Sequence, residues 1–81
     1  MITIGSVVKS TFGRDKDRYF VVVDMDEDFV FLVDGKVRKL LSPKKKRKKH
    51  IIETEQTVLI SDLKIDKQYR TVLSGLNNSQ H

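Results

Sequence analysis

The clearest pattern along the chain is a series of short apolar runs separated by polar segments. Tyr19–Val23 and Phe29–Val33 are five residues each and consist of aromatic, β-branched and aliphatic side chains, a composition that favours strands over helices. Val7–Lys9, introduced by Gly5, and Ile51–Thr54 have the length of two shorter strands. The chain is therefore predicted to be mainly β.

The polar segments between these runs carry the turn signals. A charged loop is predicted at residues 12–18, and an acidic turn is predicted at Asp24–Asp28. Asp34 and Gly35 tolerate positive φ, which both central positions of a type I′ hairpin require, so Lys36–Leu41 is expected to return antiparallel. About five short strands with closely spaced turns favour a small closed barrel.

The spacing of the apolar residues changes in the C-terminal part of the chain. Apolar residues there recur at helical spacing, at Ile65, Tyr69, Val72, Leu73 and Leu76. Asp66 is suited to the N-cap and Gly75 to ending the last turn. We therefore expect a barrel over residues 1–56 with a basic loop at 43–50, a helical extension over 57–76 that packs on the barrel, and a disordered tail at 77–81.

Length and composition narrow the class of protein. The 81 residues fit one small domain, and the chain contains no cysteine, which excludes disulfides and thiolate metal sites and suits a reducing compartment. The longest apolar runs have five residues, whereas a membrane-spanning helix needs about 20. The start of the chain has no secretory-signal pattern. A cytoplasmic location without membrane contact is expected.

The positive charge is concentrated in one segment. Residues 1–42 carry seven basic and seven acidic side chains, and residues 51–81 carry three and four. Residues 43–50 carry six basic side chains and no acidic one, so the surplus behind the net charge of +5 lies there. Such a tract is either a solvated loop or a surface for a polyanion, and its concentration in an otherwise balanced chain favours the polyanion.

Catalytic and metal chemistry find little support in the sequence. Asp24, Asp26 and Asp28 match the first ligands of an EF-hand loop, but Phe29 stands where that loop needs glycine. The histidines lie in the basic tract and at the last position, and the glycines are too scattered for a phosphate-binding loop. We therefore expect no enzyme activity and no cofactor.

The first loop and nearby aromatic residues could contact a nucleic acid in addition to the basic tract. Arg14, Lys16 and Arg18 alternate along the first loop and would project to one side of an extended chain, unless they pair with the neighbouring aspartates. Phe12 and Tyr19 flank this loop and are suited either to base stacking or to the core. His50 is either an additional donor to phosphate or an exposed side chain.

A family resemblance rests on the segment from Ile4 to Asp24, which reads IGSVVKSTFGRDKDRYFVVVD and resembles a KOW motif. Asp34-Gly35, Arg38-Lys39 and the run from Pro43 to Lys46 also fit, so residues 4 to about 52 are similar to the short KOW-domain RNA-binding proteins of Firmicutes-type bacteria. Those proteins are related to a KOW-containing ribosomal protein of archaea and eukaryotes. The motif usually has glycine where this chain has Asp17.

The resemblance implies an SH3-like barrel whose first loop and neighbouring basic residues bind RNA without catalysis. We expect a monomeric RNA-binding module, associated with ribosomal RNA or assembling ribosomes and hence with translation. The expected RNA-binding residues are Arg14, Lys16, Arg18, Arg38, Lys39, Lys44, Lys45, Lys46, Arg47, Lys48, Lys49 and His50, with Phe12 and Tyr19 as candidates for base stacking. The alternatives are a barrel that contacts ribosomal proteins or RNA polymerase, as in NusG-type factors, and a nuclear-localisation signal in the tract.

Overall fold

Five antiparallel strands form one sheet in the order β4-β3-β2-β1-β5 in the computed structural model, which describes residues 1–77. The strands are β1 (Ser6–Ser10), β2 (Tyr19–Met25), β3 (Phe29–Val33), β4 (Lys44–Arg47) and β5 (Ile51–Thr57). A 3₁₀ turn (Lys48–His50) joins β4 to β5, a second covers Ile60–Asp62, and helix α1 spans Asp66–Asn77. The prediction of a mainly β domain of about five strands with a short C-terminal helix is confirmed. The strands form one open sheet, with β4 and β5 at its ends, which is consistent with a small barrel-like domain.

The central strands are apolar in unbroken runs because both faces of the sheet are covered. Side chains of one face form the first core cluster, which consists of Val8, Phe20, Val22, Val30, Leu32 and Ile51. The alternating side chains of the other face join the helix in a second cluster of Val7, Val21, Val33, Tyr69 and Leu73. Burying one such side chain contributes roughly 1.5–3 kcal/mol, so the two clusters hold the sheet and the helix together.

Helix α1 packs on the sheet through the predicted apolar stripe, but its ends differ from the prediction. The residues before Asp66 are not α-helical, and the Asp66 carboxylate accepts the N–H of Leu40 at 2.8 Å instead of capping its own helix. The cap is supplied by Gln68, whose Oε1 accepts the N–H groups of Lys64 and Ile65. No helix among residues 1–77 has both the length and the apolar character that crossing a membrane requires.

The C-terminal end of α1 is held by the barrel. Gly75 does not end the helix, which continues to Asn77. The Asn77 side chain accepts the N–H of Tyr19 at 2.8 Å and donates to its carbonyl oxygen at 3.1 Å. The expectation of a disordered tail is therefore wrong for Asn77, and residues 78–81 lie outside the described part of the chain.

The predicted hairpin at Asp34-Gly35 is wrong. Only Gly35 has positive φ, at 77°, whereas a type I′ turn needs it at both positions. The buried Asp34 carboxylate instead accepts three successive N–H groups through Oδ1, from Lys36, Val37 and Arg38, at 2.8–2.9 Å. Because this carboxylate bends the backbone into a compact turn, Lys36–Leu41 does not form a strand.

The fourth strand comes from the basic tract, which was expected to be a loop. β4 pairs antiparallel with β3, with Val30 opposite Lys46 and Leu32 opposite Lys44. The 3₁₀ turn that follows is tied to the β2–β3 turn, since the N–H of Lys48 donates to the carbonyl oxygen of Asp28 at 2.9 Å. The cations therefore stand on a hydrogen-bonded backbone rather than on a free loop.

Candidate nucleic-acid interface

The alternation of β4 divides the basic tract into an inward and an outward set. Successive side chains of a strand point to opposite faces. Lys46 points inward and is 8% exposed, and its ammonium donates to Asp15 Oδ1 and to the carbonyl oxygen of Phe12, each at 2.6 Å. Lys45 and Arg47 are exposed on the outward face. Lys46, one of the expected RNA-binding residues, is therefore buried and already paired with Asp15, so it is not part of the exposed basic surface.

The outward cations are organised by an aromatic ring. The Lys45 ammonium lies 4.4 Å from the centroid of the Phe29 ring, and the Arg47 guanidinium carbon lies 5.0 Å from it. A ring face attracts cations, at roughly 0.5–1 kcal/mol for an exposed contact. Phe29 thus holds two cations side by side on one surface. Sequence reasoning missed this role because it did not recognise β4 as the partner of β3.

The outward cations form no ion pair in the described part of the chain, and neither does Lys44 on the inward face. Among residues 1–77 no carboxylate oxygen lies within 4.0 Å of the charged groups of Lys44, Lys45, Arg47, Lys48 or Lys49. Glu27 and Asp28 line a groove together with Arg47, Lys48 and Lys49, without forming an ion pair. We call the surface formed by Phe29, Lys45, Arg47, Lys48 and Lys49 the cationic strand.

The first loop is a series of turns rather than an extended segment. Gly13 and Asp17 have φ of 91° and 72°, and the N–H of Arg18 donates to the carbonyl oxygen of Asp15. The predicted one-sided row of Arg14, Lys16 and Arg18 is therefore wrong. Asp17 occupies the left-handed region that glycine usually fills, which aspartate tolerates better than most residues.

The charges of this loop pair with partners outside it. Asp15 pairs with Lys46, Asp17 lies 3.6 Å from the ammonium of Lys9, and Arg18 lies 3.2 Å from Asp34. Arg14 and Lys16 are exposed, and within residues 1–77 neither forms an ion pair. The alternative of ion pairing within the loop is thus also wrong, and two of its three basic side chains face solvent.

Asp15 connects the first loop to β4. Burial by itself would raise the pKa of Asp15, but hydrogen bonds from Lys46 and Ser10, together with the charges of Lys46 and Lys44, outweigh burial and hold the pKa below its usual value. Ser10 donates to Oδ1 at 2.8 Å, while Oδ2 is buried without a hydrogen-bond partner. The ionised carboxylate therefore holds the loop against the strand.

The two candidate stacking residues occupy different environments. Phe12 is 61% exposed and stacks on His50, with ring centroids 4.6 Å apart and an angle of 24° between the planes. Tyr19 is half-buried and packs against the second core cluster, with the ammonium of Lys9 5.8 Å from its ring. Phe12 and His50 form an accessible aromatic surface beside the cationic strand, whereas Tyr19 serves mainly the core.

The remaining predicted basic residues lie on the loop between β3 and β4. Arg38 lines a pocket together with Arg14 and Arg18, and Lys39 is exposed. Asp34 organises this loop through its carboxylate, whereas the sequence suggested only a hairpin turn there, because the observed role depends on Arg18, which lies 16 residues earlier. The structure therefore brings Arg38 close to the first loop.

Metal binding has no support among residues 1–77, where no group of three or more histidines and carboxylates is arranged to hold an ion. In the acidic turn, Asp26 accepts the N–H groups of Phe29 and Asp28, and these bonds, together with smaller contributions from the charges of Lys45 and Lys48, lower the pKa of Asp26. Comparison with other proteins adds no assignment, since no family model and no curated protein matches the chain.

Proposed function

We propose that the protein is a non-enzymatic RNA-binding module and that the cationic strand is its main phosphate-binding surface. The observation that supports this most strongly is the outward row of cations on β4 and the following turn, for which the described residues provide no carboxylate partner. Cations without internal partners lose little when they approach a polyanion, and they gain from counterion release.

The geometry of the strand suits a repeating anion. Lys45 and Arg47 are two residues apart on one face, which separates their backbone positions by about 7 Å. Each can therefore meet a different phosphate of one chain, and the guanidinium of Arg47 can form a forked contact that lysine cannot. The exposed Phe12–His50 pair beside the strand is suited to stacking on an unpaired base.

The resemblance of residues 4 to about 52 to KOW-domain proteins supports ribosomal RNA, in mature or assembling ribosomes, as the target. On this proposal the protein acts in the cytoplasm. Binding rests mainly on phosphate contacts, which position the protein without reading a sequence. Structured RNA is expected to bind more tightly than free single strands.

A pair of charge-matched variants tests the proposal. Lys45→Gln with Lys49→Gln removes two charges from the cationic strand, and Lys64→Gln with Lys67→Gln removes two exposed charges from the region of α1. We expect the first variant to weaken binding to a ribosomal RNA fragment on the order of tenfold at low salt. The second should bind as the wild type does. Equal losses in both would show that net charge alone determines binding.

Salt dependence and nuclease sensitivity complete the test. If four to six phosphates are contacted, affinity should fall on the order of a thousandfold between 50 and 200 mM salt. A flat salt series would contradict the proposal. In a pulldown from lysate, ribosomal material should be lost after RNA digestion, whereas retention would favour a barrel that contacts protein.

A further inference from the structure

A pocket outside the cationic strand lies between the first loop and the β3–β4 loop. Its volume is about 320 Å³, near the lower end of the range for small-molecule sites. Arg14, Arg18 and Arg38 contribute to the lining, Val37, which is 68% exposed, provides apolar surface, and the buried Phe20 lies beneath it. An apolar surface with several guanidinium groups is suited to a ligand that is both flat and anionic.

The two carboxylates in the lining are already neutralised. Asp34 accepts three backbone N–H groups and is paired with Arg18, while Asp15 is held by Lys46 and Ser10. Two arginines of the lining, Arg14 and Arg38, form no ion pair within residues 1–77. The pocket therefore has a positive balance and favours an anion over a cation.

The pocket adjoins the inward face of β4, opposite Lys45 and Arg47. Asp15 lines the pocket and binds Lys46, and Lys44 lies on the same face of β4 as Lys46. An RNA chain that crosses from the outward cations to Lys44 would therefore approach the pocket. Binding of an unpaired base away from its stack is how proteins commonly read single-stranded positions of RNA.

We propose that this pocket takes one unpaired nucleotide of the bound RNA, with its phosphate at Arg14 and Arg38 and its base against Val37. This inference rests on the proposed function. It assigns to the β3–β4 loop a preference for bulged or looped positions of structured RNA, whereas the cationic strand contacts phosphates whether or not the RNA contains a bulge.

The test compares two RNA hairpins that differ only by one bulged nucleotide. Wild-type protein should bind the bulged hairpin on the order of tenfold more tightly, the range of one base contact. Val37→Glu introduces a carboxylate at the pocket and should abolish this preference. Leu41→Glu makes the same change at a fully exposed position of the same loop and should retain it. Loss of the preference for the bulged hairpin in both variants, or in neither, would overturn the inference.

Two further measurements separate failure of the pocket from failure of the proposed function. Arg38→Gln should also abolish the bulge preference and thus supports the pocket independently of Val37. Titration of ¹⁵N-labelled protein with adenosine 5′-monophosphate should shift the amide signals around Val37 and Arg38. If the protein binds RNA through Lys45 and Lys49 but these signals do not move, the pocket is wrong and the function stands. Shifts without RNA binding would contradict the function.

Discussion

Lys46 and its neighbours Lys45 and Arg47 have similar chemistry and opposite roles. Lys46 is buried, with its ammonium 2.6 Å from Asp15, whereas Lys45 and Arg47 face solvent across the ring of Phe29. The difference comes from one geometric fact, the two-residue period of a strand. The run of six cations is therefore not one exposed patch, because its third residue, Lys46, is part of the folded interior.

The largest expected effect comes from Lys46→Met, which keeps the length of the side chain and removes its charge. The Asp15 carboxylate would stay largely buried without its partner, and removing one member of a buried ion pair typically costs about 3–5 kcal/mol. The total free energy of unfolding of a small domain is roughly 5–15 kcal/mol. Urea unfolding should therefore show a large loss of stability.

Lys49→Met is the control for this prediction, since Lys49 is exposed. Its unfolding free energy should stay within about 0.5 kcal/mol of the wild type. Equal effects at the two positions would remove the distinction between inward and outward cations.

A smaller effect is expected when both members of the buried pair are changed. Asp15→Asn combined with Lys46→Met leaves no unpaired charge, so the double variant should be more stable than Lys46→Met alone. The coupling energy from the cycle of single and double variants should exceed about 1 kcal/mol. Additive losses would show that the pair does not act as a unit.

Acid should weaken the same connection. The folded-state pKa of Asp15 is lowered, so its contribution to stability is present above the unfolded-state pKa near 3.9 and is lost as pH falls through the folded value. Unfolding free energy measured at pH 6 and pH 2.5 should fall more in the wild type than in Asp15→Asn. Asp26 also has a lowered pKa and remains in both proteins, so the comparison isolates Asp15. An equal fall in the unfolding free energy of the wild type and of Asp15→Asn would contradict the prediction.

The smallest stability effect is expected on the outward face. Lys45→Gln with Arg47→Gln removes two cation–π contacts at exposed positions and should cost no more than about 1 kcal/mol, measured by urea unfolding. Its circular dichroism should match that of the wild type. A loss as large as that of Lys46→Met would mean that the cationic strand is required for folding.

Strands β2 and β3 could be predicted because both faces of the sheet are covered there and Tyr19–Val23 and Phe29–Val33 are apolar throughout. Strand β4 could not, since lysine has low strand propensity and the strand exists because β3 offers it backbone partners. At Asp34 the error was the reverse, because the sequence predicted a hairpin that does not form. A local hairpin signal was overridden by a buried carboxylate that also meets Arg18.

The candidate site was predictable in composition but not in arrangement. Charge counting located the tract, whereas the separation of Lys46 from the outward cations depends on its pairing with Asp15, 31 residues earlier. The contribution of Phe29 likewise required knowledge of which strand lies beside it. The Arg38 pocket depends on a loop whose path no short motif specifies.

Because β4 consists almost entirely of lysine, its own sequence hardly determines which of its residues pairs with which residue of β3. Sliding the tract by two residues would bring Lys44 or Lys48 to the inward position, and either could reach Asp15 with the same chemical group. The alignment must therefore be selected by the flanks, through the hydrogen bond from Lys48 to Asp28 and the stack of His50 on Phe12. Weakening those flanks would produce slipped, near-equivalent states instead of a single unfolding event.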